Sequence, residues 1–223
     1  SRSAYLQSSY IDKWAGFPLY QNTQTKYYSC GEEMFPDMLE ALRGAKHFIF
    51  LEYFIIEEGY MFNTILDILE EKAKAGVDVR FIYDDVGSIN SISFGYYKKL
   101  QERGIPCVTF NPFKPLISVV MNNRDHRKIF VVDGYIGFTG GINLADEYIN
   151  HRIRFGHWKD SGVMLKGEAV WNFTVMFLEI WNAYNPEDED FSLFRPCEES
   201  EGEFISDGFI QPFSDSPLDG ETV

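Results

Sequence analysis

His126 and Lys128 stand two residues apart, with Asp133 following and then Gly140, Gly141 and Asn143, in the segment NNRDHRKIFVVDGYIGFTGGIN. On an extended backbone, residues i and i+2 share a face, so an imidazole and an ammonium group would project side by side. That pairing suits a phosphate. Lysine brings a point charge with three donors, and histidine can attack phosphorus or carry a proton near neutral pH. Asp133 comes seven residues after His126, so alternation places it on the other face, at a turn, where scaffolding is expected more than direct chemistry. The glycine pair lets backbone N–H groups approach an anion closely, and Asn143 adds an amide donor. A helical turn in NLADEY would add a favourable dipole.

Each feature has a mundane reading too. A lone histidine is more often structural than catalytic, and a lone glycine pair is usually a turn. Together they are harder to set aside. From this composition, H-x-K-x4-D arises by chance in about one per cent of chains, and G-G-x-N directly after it lowers that further. His157-Trp158-Lys159 repeats the H-x-K spacing, but Met164 stands where aspartate is required and no G-G-x-N follows, so it is read as accidental. His47 and His151 have no lysine two residues on.

The elements that must position these groups alternate. GEEMFPDMLEALRGAK has helical spacing and stops at Gly44, HFIFLEYFII is a strand buried on both faces, and YMFNTILDILEEKAKAG is a helix stopped by Gly76. VDVRFIYDD and IPCVTF are strands flanking a helix in SISFGYYKKLQERG. Strands alternating with helices of this length predict an α/β domain: an α-β-α sandwich with a mixed, largely parallel sheet and helices on both faces. KIFVVDGYIGFTG breaks the rhythm with a hairpin at Asp133-Gly134. SGVMLKG is expected as a strand and EAVWNFTVMFLEIWNAY as a long apolar helix. The first thirty residues show little periodicity, and the acidic tail from Asn185 shows no core pattern before FIQPFSDSPLDG.

A net charge of −14 over 223 residues argues against a general nucleic-acid binder; much of it sits in PEDEDFSLFRPCEESEGE, read as a solvated segment. Cys30, Cys107 and Cys197 are odd in number and lack ligand spacing, so neither a disulfide framework nor a zinc site is expected. No stretch is long and apolar enough to cross a bilayer, and no signal peptide is visible.

The H-x-K-x4-D and G-G-x-N pattern resembles the signature of the phospholipase D superfamily. The phrases LEYFI, VRFIYDDVGS, NNRDHRKI, GFTGGINLADEY and QPFSDSPLDGE are similar to the first catalytic half of bacterial cardiolipin synthases, from about Tyr27 onward. The resemblance implies a phosphodiester site shared by two such motifs. One histidine attacks phosphorus, the other protonates the leaving alkoxide, and lysines and asparagines stabilise the charge without metal or cofactor. It implies a reaction in which two phosphatidylglycerols give cardiolipin and glycerol. His126 is then nucleophile or general acid, Lys128, Asn143, Gly140 and Gly141 hold phosphoryl oxygens, and Asp133 completes the motif. A carboxylate on a later strand orients the histidine, for which Asp160 is the candidate. Glu52 and Asp84, at strand ends, are possible pocket residues.

The resemblance divides the chain into a lead-in (1–26), a catalytic domain with one motif (27–184) and an acidic tail (185–223) running towards a second catalytic half. The partners implied are phosphatidylglycerol, a second motif from the same polypeptide or from another copy, and a membrane surface reached through an anchor outside this sequence, with the catalytic domain facing the cytoplasm. One complete motif is half a site, so the chain by itself is expected to be inactive. A homodimeric single-motif phosphodiesterase or nuclease, and a silent domain that binds anionic lipid, remain as alternatives. Arg124, His126, Arg127 and Lys128, with Lys114, are expected to form a small basic mouth in an acidic surface.

Overall fold

Phe48–Tyr53 reads FIFLEY, and all six residues are buried, as a strand covered on both faces requires. The computed structural model describes residues 2–112, 124–186, 189–196 and 208–214. Its elements are α1 (Arg2–Ala15), β1 (Thr23–Tyr28), α2 (Gly31–Gly44), β2 (Phe48–Tyr53), α3 (Tyr60–Lys74), β3 (Asp78–Asp84), α4 (Asp85–Ser88) and α5 (Tyr96–Glu102). They continue with β4 (Cys107–Phe110), β5 (Ile129–Val132), β6 (Ile136–Gly140), β7 (Gly162–Gly167) and α6 (Val170–Tyr184), with short 3-10 turns at Asp146–Ile149 and Phe191–Phe194.

The strands form one sheet in the order β1-β7-β6-β5-β2-β3-β4. It is the mixed α/β sheet that the alternation predicts, with helices on both faces, but the parallel part is confined to β2, β3 and β4. The other pairings described, β2–β5, β5–β6, β6–β7 and β7–β1, are antiparallel. "Largely parallel" is therefore corrected. The cause is local: Asp133 (φ 51°) and Gly134 (φ 72°) turn the chain back immediately after β5, where a parallel partner would need a crossover helix.

Two apolar layers flank the sheet. One holds α2, α3 and α5 against Ile49, Leu51, Phe130 and Val132; the other holds α6 against Phe48, Phe50, Ile129 and Val131. Phe50 stacks on Phe177 at 4.7 Å between centroids, and losing either ring would cost about 3–5 kcal/mol. Arg80 pairs with Glu189 at 2.7 Å and lies over Phe50, Trp181 and Phe194.

The first thirty residues are more ordered than their composition suggests. α1 buries only Ile11, and β1, an edge strand, buries only its two end residues. Elements so peripheral carry no hydrophobic period to read. The described parts of the tail also dock. Tyr20 and Ile210 exchange backbone hydrogen bonds of 2.8 and 2.9 Å, Gln211 donates to the Ser8 and Phe17 carbonyls, and Phe194 packs on Phe48.

Candidate active site

Residues Asp125 to Lys128 lead into β5 and obey its alternation. His126 and Lys128 fall on the side of Phe130 and Val132, beneath α2 and α3. Asp125 and Arg127 fall on the side of Ile129 and Val131, beneath α6. Lys128 is buried, while His126 is exposed. Lys128 Nζ donates to the His126 carbonyl at 2.6 Å and lies 3.1 Å from His126 Nδ1. Both side chains rest on Phe54, whose centroid is 4.6 Å from the imidazole and 5.4 Å from Nζ. Burial lowers the Lys128 pKa to about 8, opposed by the Asp125 and Asp160 carboxylates. Burial and then the Lys128 charge lower that of His126, so the imidazole is neutral at pH 7.

On the opposite face, Arg127 Nε lies 2.8 Å from Glu52 Oε1 and 2.9 Å from Asp125 Oδ1. The approach to Glu52 is close but not aligned as a hydrogen bond, and neither Glu52 oxygen has an aligned partner. Burial and then Asp125 push the Glu52 pKa well up, with Arg127 opposing. Asp84 accepts from the backbone N–H groups of Gly87 (2.8 Å) and Asp125 (3.1 Å). Arg124 Nη1 reaches Asp84 at 3.4 Å and donates to the Asn111 carbonyl at 3.1 Å. The expected basic mouth is thus corrected. Arg127 faces away and Arg124 is drawn to Asp84, because alternation and buried acceptors claim them; Lys114 lies outside the described residues. Glu52 and Asp84 brace the segment from behind.

Asp133 sits at the far end of β5, roughly 20 Å of extended chain from His126. Its carboxylate accepts from the backbone N–H groups of Lys46 (2.9 Å), His47 (2.8 Å) and Phe48 (2.9 Å), clamping the α2–β2 connection to the hairpin. The glycine pair also does structural work. Gly140 has φ 148°, and a Cβ on it would strike the Ser161 carbonyl. Gly141 donates its N–H to that carbonyl at 3.1 Å, and a Cβ there would overlap the Asp160 carboxylate. The anion cradle expected at Gly141 is already occupied by its own neighbour.

Asn143 is buried. Its Oδ1 accepts from Ile55 N at 3.0 Å and its Nδ2 donates to Tyr148 Oη at 2.9 Å, so one amide hydrogen is uncommitted among the described residues. Lys128 likewise keeps one of three. Asp160, half-buried before β7, accepts from Ser161 N at 2.9 Å and acts electrostatically on Lys128. It does not touch the imidazole here; Lys128 holds that place. His157 is exposed, 3.2 Å from Glu32, and His151 stacks on Tyr60. Phe54 and Tyr148 escaped sequence reasoning. Nothing in one sequence marks them, beyond Phe54 following directly on β2. Among the described residues, no group of three or more His, Cys, Asp or Glu side chains could hold a metal ion.

Residues 38–181 match the family described as "Cardiolipin synthase, PLD-like domain". An uncharacterized protein of Streptococcus mutans is 47% identical over 219 residues, 98% of this chain and 47% of that protein. A cardiolipin synthase of Alkalihalophilus pseudofirmus is 42% identical over 166 residues, 74% of this chain and 33% of the relative. This chain therefore spans less than half the length of these relatives. Two solved structures share the fold. They are Nuc of Salmonella typhimurium, a phospholipase D family member (TM-score 0.53, 21% identity, 72% of this chain and 93% of that one), and phosphatidylserine synthase of Haemophilus influenzae (0.55, 19%, 79% and 39%). On this match and on the His126, Lys128 and Asn143 arrangement, the chain belongs to the cardiolipin synthase family of phospholipase D-like domains.

Proposed function

We propose that this chain supplies one half of a phosphatidyl-transfer site, joining two phosphatidylglycerols into cardiolipin with release of glycerol. The observation that carries the reading is the pairing of a buried ammonium, Lys128, with an exposed, neutral imidazole, His126, 3.1 Å apart. A neutral imidazole is the nucleophilic form, and a half-desolvated ammonium stabilises charge on phosphoryl oxygens more strongly than one in water.

The His126 Nε2 lone pair forms a bond to phosphorus, and the phosphorus–oxygen bond to glycerol breaks. The departing alkoxide takes a proton from an acid on a second motif, carried by the same polypeptide or another copy. The hydroxyl of a second phosphatidylglycerol then attacks phosphorus, giving its proton to the second-motif group that protonated the glycerol, while the phosphorus–nitrogen bond breaks to release the imidazole and form cardiolipin. Attack through Nε2 needs a proton on Nδ1 and an acceptor for it. In this reading the imidazole turns from Lys128 to Asp160, which frees Lys128 to join the uncommitted Asn143 N–H on the phosphoryl oxygens.

The test is mass spectrometry of the chain joined to a second motif-bearing half, at the length of its relatives, after incubation with phosphatidylglycerol in detergent. An acid-labile phosphatidyl adduct on His126, absent from His126→Ala, is expected. An adduct that forms equally in His126→Ala would defeat the reading. Cardiolipin made by the chain alone, rising steeply with protein concentration, would show that two copies of the chain complete the site.

A further inference from the structure

The proposed reaction takes place in the headgroup layer of a bilayer, where an acidic chain is repelled by anionic lipid. The segment at 151–159, HRIRFGHWK, answers that difficulty. Ile153 and Phe155 are 78% and 76% exposed, yet they project from a loop that is pinned at both ends. Arg152 is tied to Glu57 and Glu147 at 2.5 Å each. Asn150 exchanges hydrogen bonds with the Trp158 backbone at 2.6 and 2.9 Å. Two large apolar side chains held out by a braced loop are not explained by packing among the described residues.

The loop is continuous with the active site. The Trp158 ring packs on Tyr148 at 4.9 Å, Tyr148 Oη accepts from the Asn143 amide, and Asp160, next but one after Trp158, lies against Gly141. Exposed cations stand beside the apolar pair. Arg154, whose side chain is 54% exposed and reaches Glu147 at 3.2 Å, lies over the Phe155 ring at 5.2 Å, and the exposed Lys159 has no ion pair among the described residues. Alternating apolar and cationic side chains, with rings at the level of headgroups, suit an anionic interface.

We propose that this loop docks the catalytic site onto an anionic phospholipid bilayer, with Ile153 and Phe155 entering the acyl boundary and Arg154 and Lys159 contacting headgroup phosphates. The proposal rests on the phosphatidyl-transfer reading for its biological sense, but it is measured separately from it. Arg152 stays with its two carboxylates and acts as the brace.

The experiment is flotation of the chain with phosphatidylglycerol vesicles and with phosphatidylcholine vesicles. The intact chain is expected to bind the former, and Ile153→Asp with Phe155→Asp to weaken that binding about tenfold or more. Arg154→Glu with Lys159→Glu is expected to abolish the preference for phosphatidylglycerol. Both substituted pairs are exposed, and unchanged circular dichroism would confirm folding. Failure of the intact chain to float, or equal flotation of the Ile153, Phe155 variant, would overturn the proposal. So would a change in self-association by sedimentation equilibrium with vesicle binding intact, which would make the loop a protein interface. Flotation with no His126 adduct even when a second motif is supplied would leave docking standing and defeat the transfer reading. An adduct in detergent, with loop variants that float normally, would do the reverse.

Discussion

The two ends of β5 carry residues of the same motif in opposite electrostatic conditions. At the Asp133 end a carboxylate meets three backbone N–H donors at 2.8 to 2.9 Å, so acceptor and donors are matched within the protein. At the His126 end an ammonium is buried against an imidazole and a phenyl ring, and burial drives its pKa down to about 8. The first arrangement lowers the energy of the folded chain; the second leaves a cation underpaired until an anion arrives. Aspartate in this motif thus secures the strand that delivers the histidine and lysine, and it does so from a distance.

Removing the Asp133 carboxylate should break this contrast most visibly. Asp133→Ala leaves three backbone donors without an acceptor, and places alanine at φ 51°. A loss of about 3 kcal/mol is expected. Asp133→Asn keeps one acceptor oxygen and tolerates the left-handed backbone, so about half that loss is expected. Urea unfolding measures both. At temperatures where the variants are folded, the His126 adduct should form at the normal rate. A stable Asp133→Asn protein without the adduct would instead put Asp133 in the chemistry.

The sequence made the His126 end legible because strand alternation is a strict rule. It placed His126 and Lys128 on one face and separated them from Asp133. The same rule, applied one residue to either side, would have removed Arg127 from the basic mouth. What it could not supply was the acceptor set: Glu52 comes from β2 and Asp84 from the end of β3, and only the folded sheet brings them to residues 124–127. The glycine pair was legible as a close approach but not as to what approaches, since the neighbour is the chain's own Ser161 and Asp160. The parallel strands were legible from their helices, whereas β1 and α1 bury too few side chains to leave a period.

Behind the site, Glu52 gives the comparison a middle case. Its carboxyl is raised by burial and by Asp125, so the folded protein binds a proton there that the unfolded chain releases near pH 4. Stability from this group is complete below the unfolded pKa and declines as pH rises through the folded one. Arg127 opposes the rise, so Arg127→Ala should raise the folded-state pKa further and deepen the loss of stability as pH rises through it. Glu52→Gln, which cannot ionise, should flatten that slope. A pH-independent stability difference between the Arg127→Ala and intact proteins would show that Arg127 contributes packing alone.

The smallest effect concerns Lys128 itself, and it sharpens the claim that the cation waits for an anion. With a pKa of about 8, Lys128 is mostly protonated at pH 7 and mostly neutral at pH 9. Affinity for inorganic phosphate should therefore fall about tenfold over that interval. Bound phosphate favours the charged lysine, so the titration midpoint of Lys128 should move upward as phosphate occupancy rises. Lys128→Arg keeps its charge throughout and should bind phosphate with little change from pH 7 to pH 9, although with altered geometry. Titration calorimetry at fixed ionic strength reads all three. If the intact protein and Lys128→Arg lose affinity in parallel, the titrating group lies elsewhere and the underpaired ammonium is not what receives the phosphate.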